Sequence, residues 1–531
     1  MHSSKRVERK CEMYRSLYHE INFTEGLSRL FLKYRIFYLH INDLNDLHAE
    51  NHCMIELSKT ALSHICEWSS VSGRTKTVFF QMTNAMLIFA AQLLSIQLCF
   101  VSAAQSYEGY KLLRFSTKSV MWLENVEAEG FHLNQRDEPK RPLIDIWVEP
   151  NKLRPYADVM VAPEFLDSFM IMLKNHGINS VQILQRNVQR EIDRQKRELL
   201  TNGYRQQRSV TNIDARNRAS RFNLLQYHRY DEILQYLRDL AVKYPHLVGM
   251  VNITRTFEGR DLIGIKVGAR AAFKPAVFID AGVHAREWIA PAVALYVASK
   301  LASRYGHDKD ITRMVDKFDW YFVPVANPDG YEYSITTDRL WRKTRSRNVT
   351  VNKWCVGADA NRNWGYRWGE AGANRSPCSN IYAGASPFSE VEVAGIRDFI
   401  TWQIPDLKIY VSLHSYGQLF LAPWGYTSDK PDNYYDQKMA AKFAVEAIKN
   451  TTGAEYSYGT ISELMYPASG TSIDYMQSKG VPYIYGIELR PEDIDNNFGF
   501  TIPPRYIEPT GEEMLSAFLS MTRYAAQSKV I

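Results

Sequence analysis

From residue 222 to the C-terminus, short apolar stretches alternate with longer stretches in which apolar residues recur every three or four positions. The short stretches predict buried strands and the longer ones predict helices with an apolar face. The predicted strands are 262–267, 276–279, 321–325, 409–413 and 483–487, and the clearest helices are 290–304, 389–402, 437–449 and 512–525. This alternation is typical of an α/β fold with a mixed, largely parallel central sheet and helices on both faces, in which ligands collect beyond the strand ends.

A smaller unit precedes this region. Residues 105–218 alternate short strands (110–115, 143–148, 159–161 and 181–184) with an amphipathic helix at 164–175 and a charged helix at 188–200. The pattern predicts a small open-sheet α/β domain whose last helix leads into the larger domain.

One continuous apolar run, residues 85–104, has the length of a secretory signal sequence and ends in the small residues Val101-Ser102-Ala103. We favour initiation at Met82 or Met86, so that residues 82–104 are a signal peptide and residues 1–81 are an extension without a predicted fold. The alternative is a signal anchor, because twenty residues can span a bilayer. The first interpretation predicts a secreted protein, and the second predicts a membrane-anchored one.

Composition changes this picture little. A chain of 531 residues with 45% hydrophobic residues is long enough for two globular domains. The net charge of +6 is spread along the chain rather than gathered in an aromatic-rich basic stripe, so nothing favours nucleic acid binding. The basic runs 190–197 and 339–347 indicate solvated faces or local function.

Potential metal ligands follow two of the predicted strands. His284 and Glu287 come after the apolar stretch 276–283, and His414 comes at the end of 407–413. Two imidazoles and one carboxylate leave a fourth position open for water, which is the pattern of catalytic rather than structural zinc. Taken alone, an H-x-x-E tetrapeptide is more readily a chance pair, so the interpretation depends on the segments around it.

Further polar residues fit the same chemistry. Glu488 ends an apolar strand, where a charge without a purpose is unfavourable, although a pair with Arg490 is the simpler alternative. Arg342 offers a fixed guanidinium for an oxyanion, although a solvated basic face explains it equally well. Asn361 and Arg362 together match the two oxygens of a carboxylate.

Seven segments in a fixed order carry a resemblance. They are HAREW (284–288), NPDG (327–330), RLWRKTR (339–345), DANRNW (359–364), LHSY (413–416), YPASGTSID (466–474) and IELR (487–490). The chain resembles the zinc metallocarboxypeptidases of the pancreatic, digestive A/B type, with their propeptide. The resemblance is close from residue 222 onward and looser from 110 to 218. It implies a propeptide at 105–218 and a catalytic domain at 219–531.

The resemblance also implies residue roles. His284, Glu287 and His414 would bind one Zn²⁺, and Glu488 would be the general base that activates water. Arg342 would polarise the scissile carbonyl. Asp359 would accept a hydrogen bond from the far ring nitrogen of His284 and fix its tautomer.

Substrate contacts follow from the same resemblance, with peptide and protein C-termini as the substrates. Asn361, Arg362 and Tyr466 would hold the terminal carboxylate, with Arg286 as an outer docking point. Ile473 would form the pocket floor, and Ser412 and Gly425 would leave room above it. The remaining implied contacts are Leu421, Ile461, Met465, Ser415, Tyr416 and Phe500.

An apolar floor favours large apolar or aromatic C-terminal residues, because a buried ammonium or guanidinium would find no partner. Two departures bear on this preference. Gly486 stands where type A enzymes commonly carry a larger Thr, which indicates a roomier pocket and leaves a different volume preference open. The loop 490–500 is longer and rich in acids, which leaves a B-like preference for Lys or Arg open. A catalytically silent peptide-binding relative is the rival from another class.

The chain is expected to be a zymogen. Arg216, Arg218 and Arg221 offer a trypsin-like activating protease a site just before the catalytic domain, although a plain basic linker is the alternative. Cys355 and Cys378 match the disulfide position of the family.

Overall fold

The computed structural model describes residues 104–118, 123, 142–151, 153–207, 222–269, 273–348, 350, 355–491 and 498–528. All of them belong to one compact unit, Ser102–Ile531. The predicted extension, nearly all of the predicted signal peptide, the three candidate activation arginines and the acids of the loop 490–500 lie outside the described residues.

The N-terminal domain is a four-stranded antiparallel sheet in the order β2-β3-β1-β4. Phe169 and Leu173 of helix α1 pack against its apolar face, next to Val159. The strands are β1 (Lys111–Ser116), β2 (Ile144–Val148), β3 (Tyr156–Val161) and β4 (Gln182–Gln185), and the helices are α1 (Leu166–Asn175) and α2 (Val188–Gln207). The predicted open-sheet α/β unit is confirmed.

The C-terminal domain has an eight-stranded mixed sheet in the order β11-β10-β12-β9-β7-β8-β6-β5. Its strands are β5 (Val248–Arg255), β6 (Asp261–Val267), β7 (Ala276–Ala281), β8 (Asp319–Val323), β9 (Leu407–Ser415), β10 (Leu419–Ala422), β11 (Ser457–Thr460) and β12 (Tyr483–Leu489). The central strands β12, β9, β7 and β8 are parallel to their neighbours in this group. The predicted mixed, largely parallel sheet is therefore confirmed.

Apolar clusters cover both faces of this sheet. Such double coverage explains why β7 is buried at every position, because a parallel strand in an α/β protein has helices on both sides. The helices are α3 (Tyr230–Lys243), α4 (Ile289–Arg304), α5 (Lys309–Lys317), α6 (Pro328–Thr336), α7 (Val391–Gln403), α8 (Tyr434–Thr452), α9 (Ile461–Leu464), α10 (Ser472–Ser478) and α11 (Ile507–Gln527).

The sheet topology brings the candidate site together. Strands β7, β9 and β12 are adjacent and parallel, so their carboxyl ends meet at one edge. His284 follows β7, whereas His414 and Glu488 lie inside the last two residues of β9 and β12 rather than beyond them. Glu488 and His414 are direct partners in the ladder between β12 and β9. Among the described residues, no helix has both the length and the apolar character needed to cross a membrane.

Candidate active site

Three side chains from separate elements converge at the edge formed by β7 and β9. His284 Nδ1 lies 2.8 Å from Glu287 Oε1, and His414 Nδ1 lies 3.2 Å from both Glu287 Oε2 and His284 Nδ1. One donor atom from each residue falls within 4.8 Å of the others, and all three residues are buried. Two imidazole nitrogens and a carboxylate form a donor set that suits zinc. These three residues could therefore hold a metal ion.

Each histidine is oriented by a partner at its other ring nitrogen. His284 Nε2 lies 3.1 Å from Asp359 Oδ1, as the resemblance implied. His414 Nε2 lies 3.0 Å from Ser412 Oγ, which donates a hydrogen bond of 2.6 Å to Asp280 Oδ1. Ser412 therefore faces the metal ligand, although the resemblance suggested only that it leaves room in the pocket. Outer partners of this kind fix the tautomer and orientation of a metal-binding histidine.

Electrostatics within the cluster favour an ionised Glu287. Burial alone would raise the pKa of Glu287, but His284 and His414 outweigh burial and hold it well below its usual range. Burial would likewise lower the pKa of His414, yet its hydrogen bond to Glu287 raises it instead. An anionic carboxylate between two imidazoles is the charge state that binds a divalent cation.

Arg342 is fixed beside the cluster by an ion pair. Its Nη2 lies 2.8 Å from Asp359 Oδ2, whose other oxygen faces His284. Burial acts against the charge of Asp359, but Arg342 and His284 hold the pKa of that carboxyl well below its usual range. Asp359 thus orients both a candidate metal ligand, His284, and the guanidinium of Arg342.

Glu488 is half-buried beside His414. Burial raises the pKa of Glu488, and the nearby Glu287 acts in the same direction. The alternative pairing with Arg490 does not occur, because Arg490 Nη2 binds Glu513 Oε1 at 2.5 Å. A half-buried carboxylate with a raised pKa, next to a candidate metal centre, has the properties of a general base.

A second polar group forms around Arg362. Its Nη2 donates to Tyr466 Oη at 3.4 Å, and its Nη1 donates to the carbonyl oxygen of Asn361 at 2.9 Å. Asn361 Oδ1 accepts a hydrogen bond from the backbone N–H of Ser472 at 3.1 Å. The structure therefore brings Asn361, Arg362 and Tyr466 together, as a carboxylate-binding group requires.

The predicted pocket residues share one apolar cluster. Leu421, Ile461 and Ile473 are buried within it, and half-buried Met465 packs against it. Two glycines lie beside these side chains: a Cβ on Gly486 would be 3.7 Å from Ile473 Cγ1, and a Cβ on Gly425 would be 3.4 Å from Ile461. The missing side chain of Gly486 leaves space beside these apolar walls. A Cβ on Gly425 would also lie 2.6 Å from the carbonyl oxygen of Ala468, so this glycine permits close packing with the backbone rather than leaving room in the pocket.

Asp474 follows Ile473 directly, and its carboxylate is already engaged. Its two oxygens accept hydrogen bonds from the backbone N–H groups of Gly425, at 2.8 Å, and Tyr426, at 3.0 Å. Burial raises the pKa of Asp474 to about 7. This acid therefore braces the glycine segment of the pocket wall.

The other side of the cleft is covered by the N-terminal domain. Asp145 Oδ2 of β2 pairs with Arg286 Nη1 at 2.7 Å, and both side chains are buried. Trp147 packs on Phe500 with ring centroids 5.0 Å apart, and Phe500 also contacts Tyr416. Ser415 binds Glu287 Oε2 through its backbone N–H at 3.2 Å, so its contact is with the metal cluster.

A third contact from the N-terminal domain reaches the catalytic edge. Arg154, in the loop between β2 and β3, donates to the carbonyl oxygen of Gly417. Its positive charge opposes the rise in the pKa of Glu488. The domain therefore lies over the mouth of the candidate site.

The basic run 339–347 is largely not a solvated face. Arg339, Lys343 and Arg345 are buried, and Arg345 stacks on Tyr333 with its guanidinium carbon 3.6 Å from the ring centroid. Burial of these cations follows from aromatic and carbonyl partners that the local sequence pattern does not reveal. The pair Cys355–Cys378 forms the expected disulfide.

Sequence reasoning missed Asp280, Asp145 and Arg154. Asp280 had a visible signal, because it is a lone carboxylate inside the apolar strand β7. Asp145 and Arg154 act across a domain boundary, and no local pattern identifies such contacts.

Comparisons with known proteins agree with this geometry. A model of the zinc carboxypeptidase family matches residues 233–517, and a model of the carboxypeptidase activation peptide matches residues 132–195. Carboxypeptidase A1 of Rattus norvegicus is 36% identical over 429 residues, which cover 81% of this chain and 97% of that protein.

Carboxypeptidase B of Astacus astacus is 46% identical over 288 residues, covering 54% of this chain and 93% of that protein. The solved structure of carboxypeptidase A from Helicoverpa armigera superposes with a TM-score of 0.68 at 28% identity, covering 80% of this chain and 99% of the other. The chain thus belongs to the zinc carboxypeptidase family, as an enzyme whose precursor carries an activation peptide.

Proposed function

We propose that this chain is a secreted procarboxypeptidase whose activated form removes large apolar or aromatic residues from peptide C-termini. The observation that carries the specificity is the apolar floor at Ile473, which is buried among Leu421 and Ile461. Family membership and the activation peptide support the zymogen, and the apolar run 85–104 supports secretion.

Each catalytic residue receives a role that its contacts support. His284, Glu287 and His414 hold the zinc ion, and Asp359 and Ser412 orient the two imidazoles. When bound, zinc supplies Lewis acidity that activates a water molecule and polarises the scissile carbonyl.

Glu488 takes the proton from the attacking water and returns it to the leaving amine, which its raised pKa allows. Arg342, held by Asp359, faces the negative charge that develops on the carbonyl oxygen. Asn361, Arg362 and Tyr466 bind the terminal carboxylate, so cleavage falls one residue from the chain end.

The apolar preference rests on charge as well as volume. A Lys or Arg side chain at the floor would need a carboxylate, and the adjacent Asp474 is committed to the N–H groups of Gly425 and Tyr426. An unpaired buried cation is strongly unfavourable. Relatives of both the A and the B type match this chain, so the preference must be measured.

The N-terminal domain keeps the precursor inactive by covering the active-site cleft on the side opposite the apolar pocket around Ile473. Asp145 takes the guanidinium of Arg286, and Trp147 covers Phe500. Cleavage by a trypsin-like protease after Arg216, Arg218 or Arg221 would cut the chain between the two domains, and activity would follow once the N-terminal domain leaves the cleft.

The test uses the chain started at Met82, secreted from a eukaryotic host and cut with trypsin. Blocked dipeptides ending in Phe, Leu, Lys or Glu are assayed with and without a zinc chelator. We expect chelator-sensitive release of Phe and Leu that appears only after trypsin. Release of Lys would overturn the specificity assignment, and no release from a folded, zinc-containing protein would favour the catalytically silent relative.

A further inference from the structure

The outer strand β5 of the large sheet carries a sequence motif that the proposed peptidase activity does not use. Residues 252–254 read Asn-Ile-Thr, which is an acceptor sequence for N-linked glycosylation. Three more motifs of this kind lie in the catalytic domain and begin at Asn348, Asn374 and Asn450. Motifs this short arise often by chance, so the fold must show which of them is placed to carry a glycan.

Asn252 lies on the solvent face of β5. Its neighbours Val251 and Ile253 pack against the apolar cluster that includes the buried face of α7. Successive residues of a strand point to opposite faces, so Asn252 points away from α7, and its side chain is exposed. Met250, on the same face, is 39% exposed. The side-chain amide of Asn252 therefore faces solvent, where a glycan can be accommodated.

The other three motifs lie in different surroundings. Asn374 is half-buried, and its Oδ1 accepts a hydrogen bond from the backbone N–H of Ser376 at 2.8 Å. Asn348 is exposed in a loop, and Asn450 is exposed in the last turn of α8. Of these four asparagines, Asn252 is the one that lies in a strand of the central sheet.

The position of β5 in the sheet gives a glycan there a structural role. In the described sheet, β5 is the last strand at one edge and has eight residues, whereas β11 at the other edge has four. Exposed edge strands can pair with another chain, and proteins prevent this with short strands, Lys, Pro, bulges or a covering element. The sequence of β5, VGMVNITR, contains a bulge at Ile253 but neither Lys nor Pro. A long, largely apolar edge therefore lacks most of the usual protection.

From this placement we propose that Asn252 carries an N-linked glycan that covers the exposed edge of the sheet. In the transfer, Asn252 Nδ2 forms a bond to the anomeric carbon of the first sugar, the bond from that carbon to a lipid-linked pyrophosphate breaks, and the amide nitrogen loses one proton. Strand β5 is three strands away from β7, or roughly 14 Å at the usual strand spacing, so the glycan leaves the active-site cleft open. The inference rests on the proposed secretion and not on the peptidase activity.

The first measurement maps the modification. The chain started at Met82 is secreted from a eukaryotic host, denatured and digested with trypsin, which releases residues 244–255 as one peptide with a single acceptor motif. Peptide-N-glycosidase in heavy-oxygen water converts a glycosylated Asn into heavy-labelled Asp, which mass spectrometry detects. We expect the label at Asn252 in most molecules. A secreted protein whose peptide 244–255 carries no label would overturn the site.

A parallel chain separates this proposal from the proposed secretion. In it, a proven secretory leader replaces residues 82–104. Labelling of Asn252 in this chain alone would support the glycosylation site while refuting secretion by the native leader. Lack of labelling in both chains would overturn the site.

The second measurement tests the protective role with the variant N252Q. Light scattering at a fixed protein concentration should show N252Q aggregating several-fold sooner than wild type, because its edge strand is uncovered. N450Q is the matched control, since it removes an acceptor motif from a helix end, and it should aggregate like wild type. The thermal midpoints of N252Q and N450Q should agree. Thr254 is left unchanged, because it packs closely on Gly395 of α7.

A rescue variant completes the test. M250K/N252Q places a Lys on the exposed face of β5, which is another natural way to block an edge, and should restore the wild-type onset of aggregation. Equal aggregation of N252Q and N450Q, or a double variant that aggregates like N252Q, would overturn the protective role. None of these measurements uses peptidase activity, so the glycan and the proposed activity can fail separately.

Discussion

Gly486 offers the sharpest test of the proposed pocket. The substitutions are G486A and G486T, which place a methyl group or a branched side chain on the wall beside Ile473. A Cβ at this position would lie 3.7 Å from Ile473 Cγ1 and 3.8 Å from Leu421 Cβ, which are ordinary van der Waals distances. The fold should therefore accept both variants, and the added atoms should take room from the substrate.

The expected loss of activity follows from the loss of pocket volume. One methylene in a hydrophobic specificity pocket changes transition-state binding by about 1–3 kcal/mol, or roughly 10–200-fold in kcat/KM. We expect G486A to lower kcat/KM by about that factor for a substrate ending in Trp, while a substrate ending in Leu changes less than about threefold. G486T should extend the loss to Phe. The thermal midpoint should not fall, because glycine inside a strand is destabilising by about 0.5–1 kcal/mol relative to alanine.

The assay measures kcat/KM for blocked dipeptides ending in Trp, Phe and Leu after complete removal of the N-terminal domain. G249A is the control, since Gly249 also lies in a strand and a Cβ there meets nothing within 4 Å. Gly425 is unsuitable, because its Cβ would lie 2.6 Å from the carbonyl oxygen of Ala468. An unchanged Trp-to-Leu ratio in G486A would show that Gly486 does not line the pocket.

Three further predictions concern the site and its cover. E488Q should lose at least about 10²-fold in kcat while zinc content, measured by atomic absorption, stays at the wild-type level; normal turnover would exclude Glu488 as the base. D145A leaves Arg286 buried without its ion-pair partner, so the severed N-terminal domain should bind the catalytic domain more weakly, by about 3–5 kcal/mol in binding free energy. Chromatographic or calorimetric binding measurements check this, and equal binding of the wild-type and variant domains would contradict it. Burial raises the pKa of Asp474 from 3.8 to about 7, so the ionised carboxyl opposes folding. The contribution of Asp474 to the unfolding free energy is therefore highest below about pH 4, falls as the pH rises to about 7 and is constant above that pH. The difference in unfolding free energy between wild type and D474N should change over the same pH range. A difference that does not depend on pH would refute this prediction.

The centre of the sheet was predictable because its strands are nearly continuous apolar runs, whereas the edge strand β5, which is largely exposed or half-buried and carries polar residues, was not predicted. The pattern for β9 and β12 was clear, whereas β10 and β11, with four residues each, were too short to show a period. Helices α3, α5, α6, α9 and α10 were not predicted. The candidate ligands were recognisable because parallel strands bring their carboxyl ends to one edge, where short motifs stand out.

Contacts between distant segments were not predictable. Arg339 lies in a run of basic residues that suggests a solvated surface, yet it is buried by partners 53 to 161 positions away along the chain. Asp145 and Gln195 likewise act on residues of another domain. Such partners are determined by three-dimensional packing, and the spacing of residues along the sequence does not predict them.

The direct pairing of His414 with Glu488 has a consequence for how the enzyme can vary. The spacing between His414, a candidate metal ligand, and Glu488, the proposed base, is set by one step of the β9–β12 ladder and not by any loop. Loops that leave these strands, including the long connection 490–500, can therefore gain or lose residues without moving the two groups apart. An insertion of one residue inside either strand would turn one of them to the opposite face of the sheet. Substrate preference is free to diverge through the loops, while the chemistry is tied to strand register.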